Sequence, residues 1–155
     1  MRLRTIAGLG LLLFAAPLEA QEEPSDRDFR VTDIRARLLY EASGNLSVDI
    51  SDNPRFTAFN TVIGEGDAEE NASDLLVTAL VEGPAEHNLT VPLILTARDA
   101  RGRVLGNRRF EGILAGRRTQ RSLLLHDVGC AGAIRLTAEL GASRRSEEVR
   151  LPCGE

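Results

Sequence analysis

Apolar and polar residues alternate with a period of two along much of the chain, as expected for strands that bury one face. In a predicted strand over residues 29–40, every second residue from Ile34 onward is apolar, and the residues between are mostly charged. A change of parity between Val31 and Ile34 predicts a bulge around residues 32–33. The alternation therefore predicts a bulged β-strand over residues 29–40.

Further short strands follow, separated by turns rich in glycine, asparagine, aspartate and proline. We predict them over residues 46–50, 56–63, 75–81, 89–97, 104–105, 110–114, 118–125, 134–140 and 148–151. The first of these is expected to form a hairpin with 29–40. The nearly apolar segment 75–81 is expected near the middle of a sandwich. Pro92 lacks an N–H for a ladder, which predicts an edge position or a bulge for the strand that contains it.

Frequent short strands without an amphipathic helix predict an all-β fold. We expect an antiparallel, immunoglobulin-like or fibronectin-type β-sandwich of about eight strands. Residues 91–112 resemble the strand, Asp-x-x-Gly turn, strand pattern of such domains in bacterial envelope proteins.

The N-terminus has the three parts of a secretory signal peptide. Arg2 and Arg4 precede an apolar run over residues 6–16, and a polar stretch begins at Gln21. The apolar run is shorter than the roughly 20 residues that cross a bilayer. We therefore predict cleavage after Ala20 and no stable membrane span.

This pattern divides the chain into a signal peptide over residues 1–20, a disordered lead-in over 21–28 and a single sandwich domain over 29–155. All 19 basic residues are arginine, a usage bias that indicates a bacterial source with a GC-rich genome. We accordingly predict a periplasmic or secreted protein.

The final hairpin has the most specific register, centred between Gly141 and Ala142. In that register the opposed pairs are Ile134 with Val149, Arg135 with Glu148, Glu139 with Arg144, and Cys130 with Cys153. An apolar pair and two opposite-charge pairs agree with the placement of the cysteines. Two cysteines in an exported chain favour one disulfide, worth roughly 3 kcal/mol in the loop-entropy picture.

The formal net charge of −4 gives no reason to expect nucleic-acid binding. One tyrosine, five phenylalanines and no tryptophan leave little material for a stacking platform. No motif indicates a cofactor, and we predict none.

The densest charged feature is an acidic loop over residues 65–74. Its carboxylates are those of Glu65, Asp67, Glu69, Glu70 and Asp74. Calcium takes six to eight oxygen ligands, so calcium-dependent adhesion or ligand binding through this loop is an alternative function. The order of residues is not that of a known calcium loop, and a solvated loop and a surface for a basic partner are the other interpretations.

A second alternative is a hydrolase with an unfamiliar site. His126 and Asp127 are adjacent and Ser122 is near them in sequence. The chain has no G-x-S-x-G elbow, and neighbouring residues on a strand point to opposite faces. We therefore predict that the protein is not an enzyme.

Arginines cluster at three places, each near a predicted turn. The clusters are Arg108–Arg109, Arg117–Arg118 with Arg121, and Arg144–Arg145. They are interpreted either as charges that protect strand edges or as a patch for an anionic glycan, lipid A or an acidic partner protein.

These observations favour a non-enzymatic envelope domain with an interaction or accessory role. Asn60, Ile63 and Glu65 belong to a compact apolar-to-acidic segment, and we predict a partner surface there. The identity of the envelope partner, the oligomeric state and the strand topology remain open.

Overall fold

A computed structural model describes residues 23–53, 55–57 and 66–152. In that part the regular secondary structure consists of one 3-10 turn at Asp26–Asp28 and of strands. The strands are β1 (Arg30–Leu39), β2 (Asp74–Glu82), β3 (His87–Asn88), β4 (Leu93–Asp99), β5 (Val104–Phe110), β6 (Leu114–Ala115), β7 (Arg118–Leu125), β8 (Gly132–Leu140) and β9 (Ser143–Leu151). None of the described residues belongs to a helix with the length and apolarity needed to cross a bilayer.

All strand pairs are antiparallel, which confirms the predicted all-β class. One sheet has the order β1-β2-β7 and a second has the order β5-β4-β8-β9. The short strands β3 and β6 form a separate pair. Strand β2, which contains the predicted segment 75–81, lies in the middle of its sheet.

The two larger sheets enclose one apolar core, to which both contribute every second residue. On β8, Ile134, Leu136, Ala138 and Leu140 are buried, and the residues between them are more exposed. Each large aliphatic side chain buried this way contributes roughly 1.5–3 kcal/mol relative to leaving it in water.

The predicted register of the last hairpin is confirmed. Ile134 pairs with Val149, and Glu139 pairs with Arg144. The second pair forms an ion pair at 3.3 Å between Arg144 Nε and Glu139 Oε1. Continued by two residues, this register sets position 130 against 153, but Cys153 lies outside the described residues. The disulfide therefore stays a prediction.

The first strand also follows its pattern. The β1–β2 register shifts between Val31 and Asp33, which confirms the predicted bulge. The bulge brings Ile34 and every second residue after it onto the buried face.

The segment after β1 returns antiparallel to it, as the predicted first hairpin requires, but it does not form a continuous strand. An isolated bridge joins Leu39 to Leu46, and Ser47 and Ile50 donate backbone hydrogen bonds to β1 at 2.9 and 2.8 Å. Ile50 is buried as predicted, whereas Val48 is 76% exposed. The Ser47 hydroxyl and the Asp49 carboxylate instead accept hydrogen bonds from backbone N–H groups of β1, at 2.9 and 3.1 Å. Short polar side chains compete with the backbone ladder in this way, so the segment covers the edge of β1 without becoming a strand.

Pro92 does not mark an edge strand. It lies immediately before β4, whose neighbours are β5 and β8, so β4 is an interior strand. The missing N–H is tolerated because the ladder begins only at Leu93. The predicted strand 56–63 lies mostly outside the described residues, and its described part, 56–57, is not a strand.

Candidate functional site

Residues 25–28, which belong to the segment predicted to be a disordered lead-in, form a 3-10 turn with its own side-chain contacts. The Ser25 backbone N–H and hydroxyl donate hydrogen bonds to Asp28 Oδ2 at 2.8 and 2.9 Å. These two bonds hold the pKa of Asp28 below its ordinary value, the backbone bond being the larger cause. The reciprocal contacts close a capping box around the 3-10 turn.

Asp26 fastens this turn to the loop before β4. Its carboxylate accepts hydrogen bonds from the Thr90 hydroxyl, the Thr90 N–H and the Val91 N–H, the last at 3.1 Å. His87 Nε2 lies 3.1 Å from the same carboxylate. The hydrogen bond from the Thr90 side chain is the main reason that the pKa of Asp26 is lowered, and burial opposes it.

Phe29 forms the second anchor of the N-terminal segment. Its ring is 2% exposed and stacks on His87 with ring centroids 5.7 Å apart. A Cβ atom at Gly83 would lie 2.1 Å from the ring, so only glycine fits at that position without a shift. His87 lies in the short strand β3 and packs against this anchor.

The two anchors hold Arg27 and Arg30 beside a third arginine, Arg117, which precedes β7. Together they line a cleft of about 470 Å³ that we call the arginine cleft. Its other lining residues are Asp28, Glu82, Gly83 and Pro84. Within the described part of the chain, none of the three guanidinium groups makes an ion pair or a side-chain hydrogen bond.

A second cavity of about 700 Å³ adjoins the arginine cleft, and Arg27 and Arg30 line both. We call it the apolar groove. The rest of its lining is Asp26, Phe29, Val91, Leu140, Gly141, Ala142 and Ser143. The Asp26 carboxylate accepts its hydrogen bonds from the loop before β4. The groove therefore combines an apolar floor with a basic rim formed by Arg27 and Arg30.

The electrostatics of this end favour an anionic ligand. The lining of the arginine cleft contains three unpaired guanidinium groups but only two carboxylates, those of Asp28 and Glu82. Glu82 is opposite Arg30 in the β1–β2 register, yet their side chains form no ion pair. Guanidinium groups bind carboxylates and phosphates through paired, charge-assisted hydrogen bonds.

Only part of this site could be predicted from the sequence. Arg117 belongs to one of the three predicted clusters, whereas Arg27 lies in the segment predicted to be disordered. Asp26 and Thr90 are separated by 64 positions, so no local pattern indicates the contact that places Arg27. A Ser-x-x-Asp capping sequence at Ser25 was the one local signal that could have revealed the ordered turn.

The other two arginine clusters serve mainly as structural contacts. Arg108 lies 4.8 Å from the centre of the Phe110 ring and donates to the Ser122 carbonyl at 3.2 Å, which links β5 to β7. Arg109 pairs with Glu111 at 2.7 Å. Arg145 pairs with Glu147 at 3.1 Å. These contacts fit the edge-charge interpretation.

The acidic loop residues point to separate partners. Asp67 Oδ2 accepts from the Thr57 N–H at 2.7 Å, and Glu70 Oε2 accepts from the Ser43 N–H at 3.1 Å. Asp74 Oδ2 lies 2.8 Å from His126 Nδ1. No group of three potential ligands meets among the residues that the structure describes. Glu69 is exposed.

The predicted partner surface at Asn60, Ile63 and Glu65 lies outside the described residues. Among the candidate hydrolase residues, Ser122 shares a 2.8 Å hydrogen bond with Thr78 rather than with a histidine. His126 follows β7 and its side chain is 69% exposed. Four residues of extended strand span about 13 Å, so the serine and the histidine do not form a catalytic pair.

Acid is expected to weaken the Asp26 anchor. A carboxylate whose pKa is lowered by folding stabilises the fold above its unfolded pKa, and this stability is lost as pH falls through the folded pKa. We expect the thermal midpoint to fall more steeply below about pH 4 in the wild type than in Asp26→Asn, which starts less stable at pH 7.

Thermal unfolding at pH values between 7 and 3 measures this difference. Glu86→Gln is the matched control, because Glu86 is exposed and makes no hydrogen bond in the described part of the chain. Parallel curves for the wild type and Asp26→Asn would contradict the role given to this carboxylate.

Comparisons with known proteins identify no family. No protein-family model matches the chain, and no curated protein matches it. One similar solved structure is a β-glucuronidase of Bifidobacterium dentium in complex with coumarin-3-O-glucuronide, with 13% sequence identity and a TM-score of 0.42. The alignment covers 80% of this chain and 18% of the enzyme, so the chain spans under a fifth of that protein's length.

Proposed function

We propose that this protein is an exported bacterial binding domain without enzymatic activity, which holds an acidic envelope partner at its arginine cleft. The observation that carries the proposal is the meeting of three unpaired guanidinium groups in one cleft. Other arginines, such as Arg103 and Arg109, are paired with carboxylates. An unpaired basic cluster on a protein of net charge −4 favours anionic partners locally.

We further propose that the fold is an immunoglobulin-like or fibronectin-type sandwich. Such domains divide about seven strands between two antiparallel sheets with Greek-key connections. Here the larger sheets have three and four strands. The chain passes between them from β2 to β4, from β5 to β7 and again from β7 to β8, which supports this assignment.

Export is inferred from the three-part N-terminus and from the two cysteines. An oxidising compartment would allow the predicted disulfide between Cys130 and Cys153. Loops at the end of a sandwich are the usual sites of recognition in this class of fold, and the arginine cleft lies at such an end.

Site-specific photocrosslinking in the exported full-length chain tests the binding role. We place a photoreactive residue at Pro84, an exposed residue of the cleft lining. We expect a defined conjugate in the periplasmic fraction. The triple variant Arg27→Glu, Arg30→Glu, Arg117→Glu should reduce its yield at least tenfold, because like charges would then meet.

A second triple variant, Arg55→Glu, Arg101→Glu, Arg135→Glu, makes the same change in net charge at exposed arginines away from the cleft. It should leave the conjugate unchanged. Arg135→Glu sets a carboxylate opposite Glu148, just as Arg30→Glu does opposite Glu82, so the two variants are matched in this cost as well. The other substitutions are at exposed positions without an ion pair and alter stability by about 0.5 kcal/mol or less each, so both variants should fold. Equal losses in the two variants would show a general charge effect and refute the assigned site.

A further inference from the structure

We infer that the site takes an acidic peptide segment that carries one large apolar side chain between its carboxylates. The inference rests on the proposed function and specifies the chemistry of the partner. The arginine cleft and the apolar groove share Arg27 and Arg30. A ligand that reaches both cavities must therefore carry negative charge and apolar surface next to each other.

The apolar groove is kept open by small residues at the β8–β9 turn. Gly141 has a φ of +55°, a conformation that favours glycine. Ala142 follows it at the rim and is exposed. Behind them, Leu140 and Phe29 are each 2% exposed and support the floor, at which the half-buried Val91 presents apolar surface. One apolar side chain entering here would remove its own surface from water.

The carboxylates within the cleft indicate a peptide rather than a membrane. An anionic bilayer presents a continuous negative surface, which Asp28, Glu82 and the negative charge of the whole protein would repel. A short peptide places individual carboxylates against individual guanidinium groups and leaves those two acidic residues in solvent. Charge complementarity therefore favours a peptide, whose separate carboxylates can each face one arginine, over an anionic membrane.

The site is organised before any ligand arrives. Asp26 and the capping box hold the 3-10 turn. The Ser143 hydroxyl accepts a hydrogen bond from the Val31 N–H at 3.0 Å, which joins the turn at the groove to β1. Because these contacts fix the backbone at Arg27 and Arg30, binding orders fewer groups and loses less conformational entropy.

In an extended peptide, every second side chain lies on one side, about 7 Å apart. The probe is therefore a blocked pentapeptide of glutamate, alanine, phenylalanine, alanine and glutamate. One control peptide has alanine for phenylalanine and another has glutamine for both glutamates. Isothermal titration or fluorescence anisotropy with the full mature chain measures the dissociation constants.

We expect the phenylalanine peptide to bind about tenfold more tightly than the alanine peptide, since partial burial of one ring is worth at least 1.4 kcal/mol. The glutamine peptide and the triple Arg→Glu variant at the cleft should abolish binding. Ala142→Phe, which fills the groove rim at an exposed turn, should remove the advantage of phenylalanine and leave weak binding of the acidic peptides.

The peptide series alone keeps the inference testable if Ala142→Phe folds poorly. Equal affinities for the phenylalanine and alanine peptides would overturn the apolar part and leave the proposed function standing. Binding to phosphatidylglycerol vesicles without binding to the acidic peptides would overturn the peptide class. If the wild-type chain neither binds the acidic peptides nor forms the photocrosslink, the proposed function itself is refuted.

Discussion

Replacing Gly83 by alanine is expected to lower the free energy of unfolding by about 2 kcal/mol, the range typical of overpacked positions. The new Cβ would lie 2.1 Å from Cε1 of Phe29. That ring is buried and stacked on His87, so it has little room to move aside. Displacing it should also loosen the N-terminal turn that positions Arg27.

Urea unfolding monitored by circular dichroism measures the loss, and limited proteolysis before Phe29 reports the loosened turn. Gly116→Ala is the matched control, because a Cβ there meets no atom within 4 Å and the backbone needs no left-handed conformation. Its midpoint should stay within about 0.5 kcal/mol of the wild type. Equal midpoints for the two variants would contradict the close packing of Gly83 and Phe29.

Leu136→Ala should have the larger effect, a loss of about 3 kcal/mol, because it leaves a cavity in the core. Leu136 is fully buried on β8 and pairs with Ala97 of β4 and Glu147 of β9. The small side chain at position 97 offers no atoms to fill the space. A fall in the thermal midpoint of roughly 10 °C should accompany the change.

Leu114→Ala provides the same chemical change at a side chain that is 52% exposed. It should cost well under 1 kcal/mol, since little buried surface is lost and no closed cavity forms. Thermal and urea unfolding of the two variants give the comparison. Similar losses at both leucines would mean that the core does not lie between the two larger sheets.

The strands that follow a simple alternation could be predicted closely. The strand predicted over residues 134–140 lies within β8, Gly132–Leu140, in which every second residue from Ile134 onward is buried. The β8–β9 register was predictable because a tight turn at Gly141 determines which residues oppose each other, and a slip of one residue would reverse the faces. Both features depend on residues within a few positions of one another.

Features that depend on distant segments could not be predicted in the same way. Val48 alternates like a core residue, yet it is exposed because Ser47 and Asp49 turn inward to bind the edge of β1. Pro92 indicated an edge, yet the strand after it is interior because the ladder starts one residue later. In each case the outcome depends on which segment covers which edge.

The candidate site shows the same division. Arg117 could be singled out as part of a basic cluster, but its companions Arg27 and Arg30 come from the other end of the described chain. They meet it because Asp26 binds the loop at Thr90 and because Phe29 packs on Gly83. These contacts between distant segments bring the three arginines together at one end of the sheets.

By itself, the amino-acid sequence determined the all-β class, the bulge in β1 and the register of the final hairpin, since each follows from a two-residue period or a tight turn. Only the tertiary structure decided that β4 is interior, that residues 46–50 cover an edge and that three arginines share a cleft. These outcomes depend on contacts between segments far apart in sequence. A linear pattern specifies which faces are apolar, but not which partner each face and edge will meet.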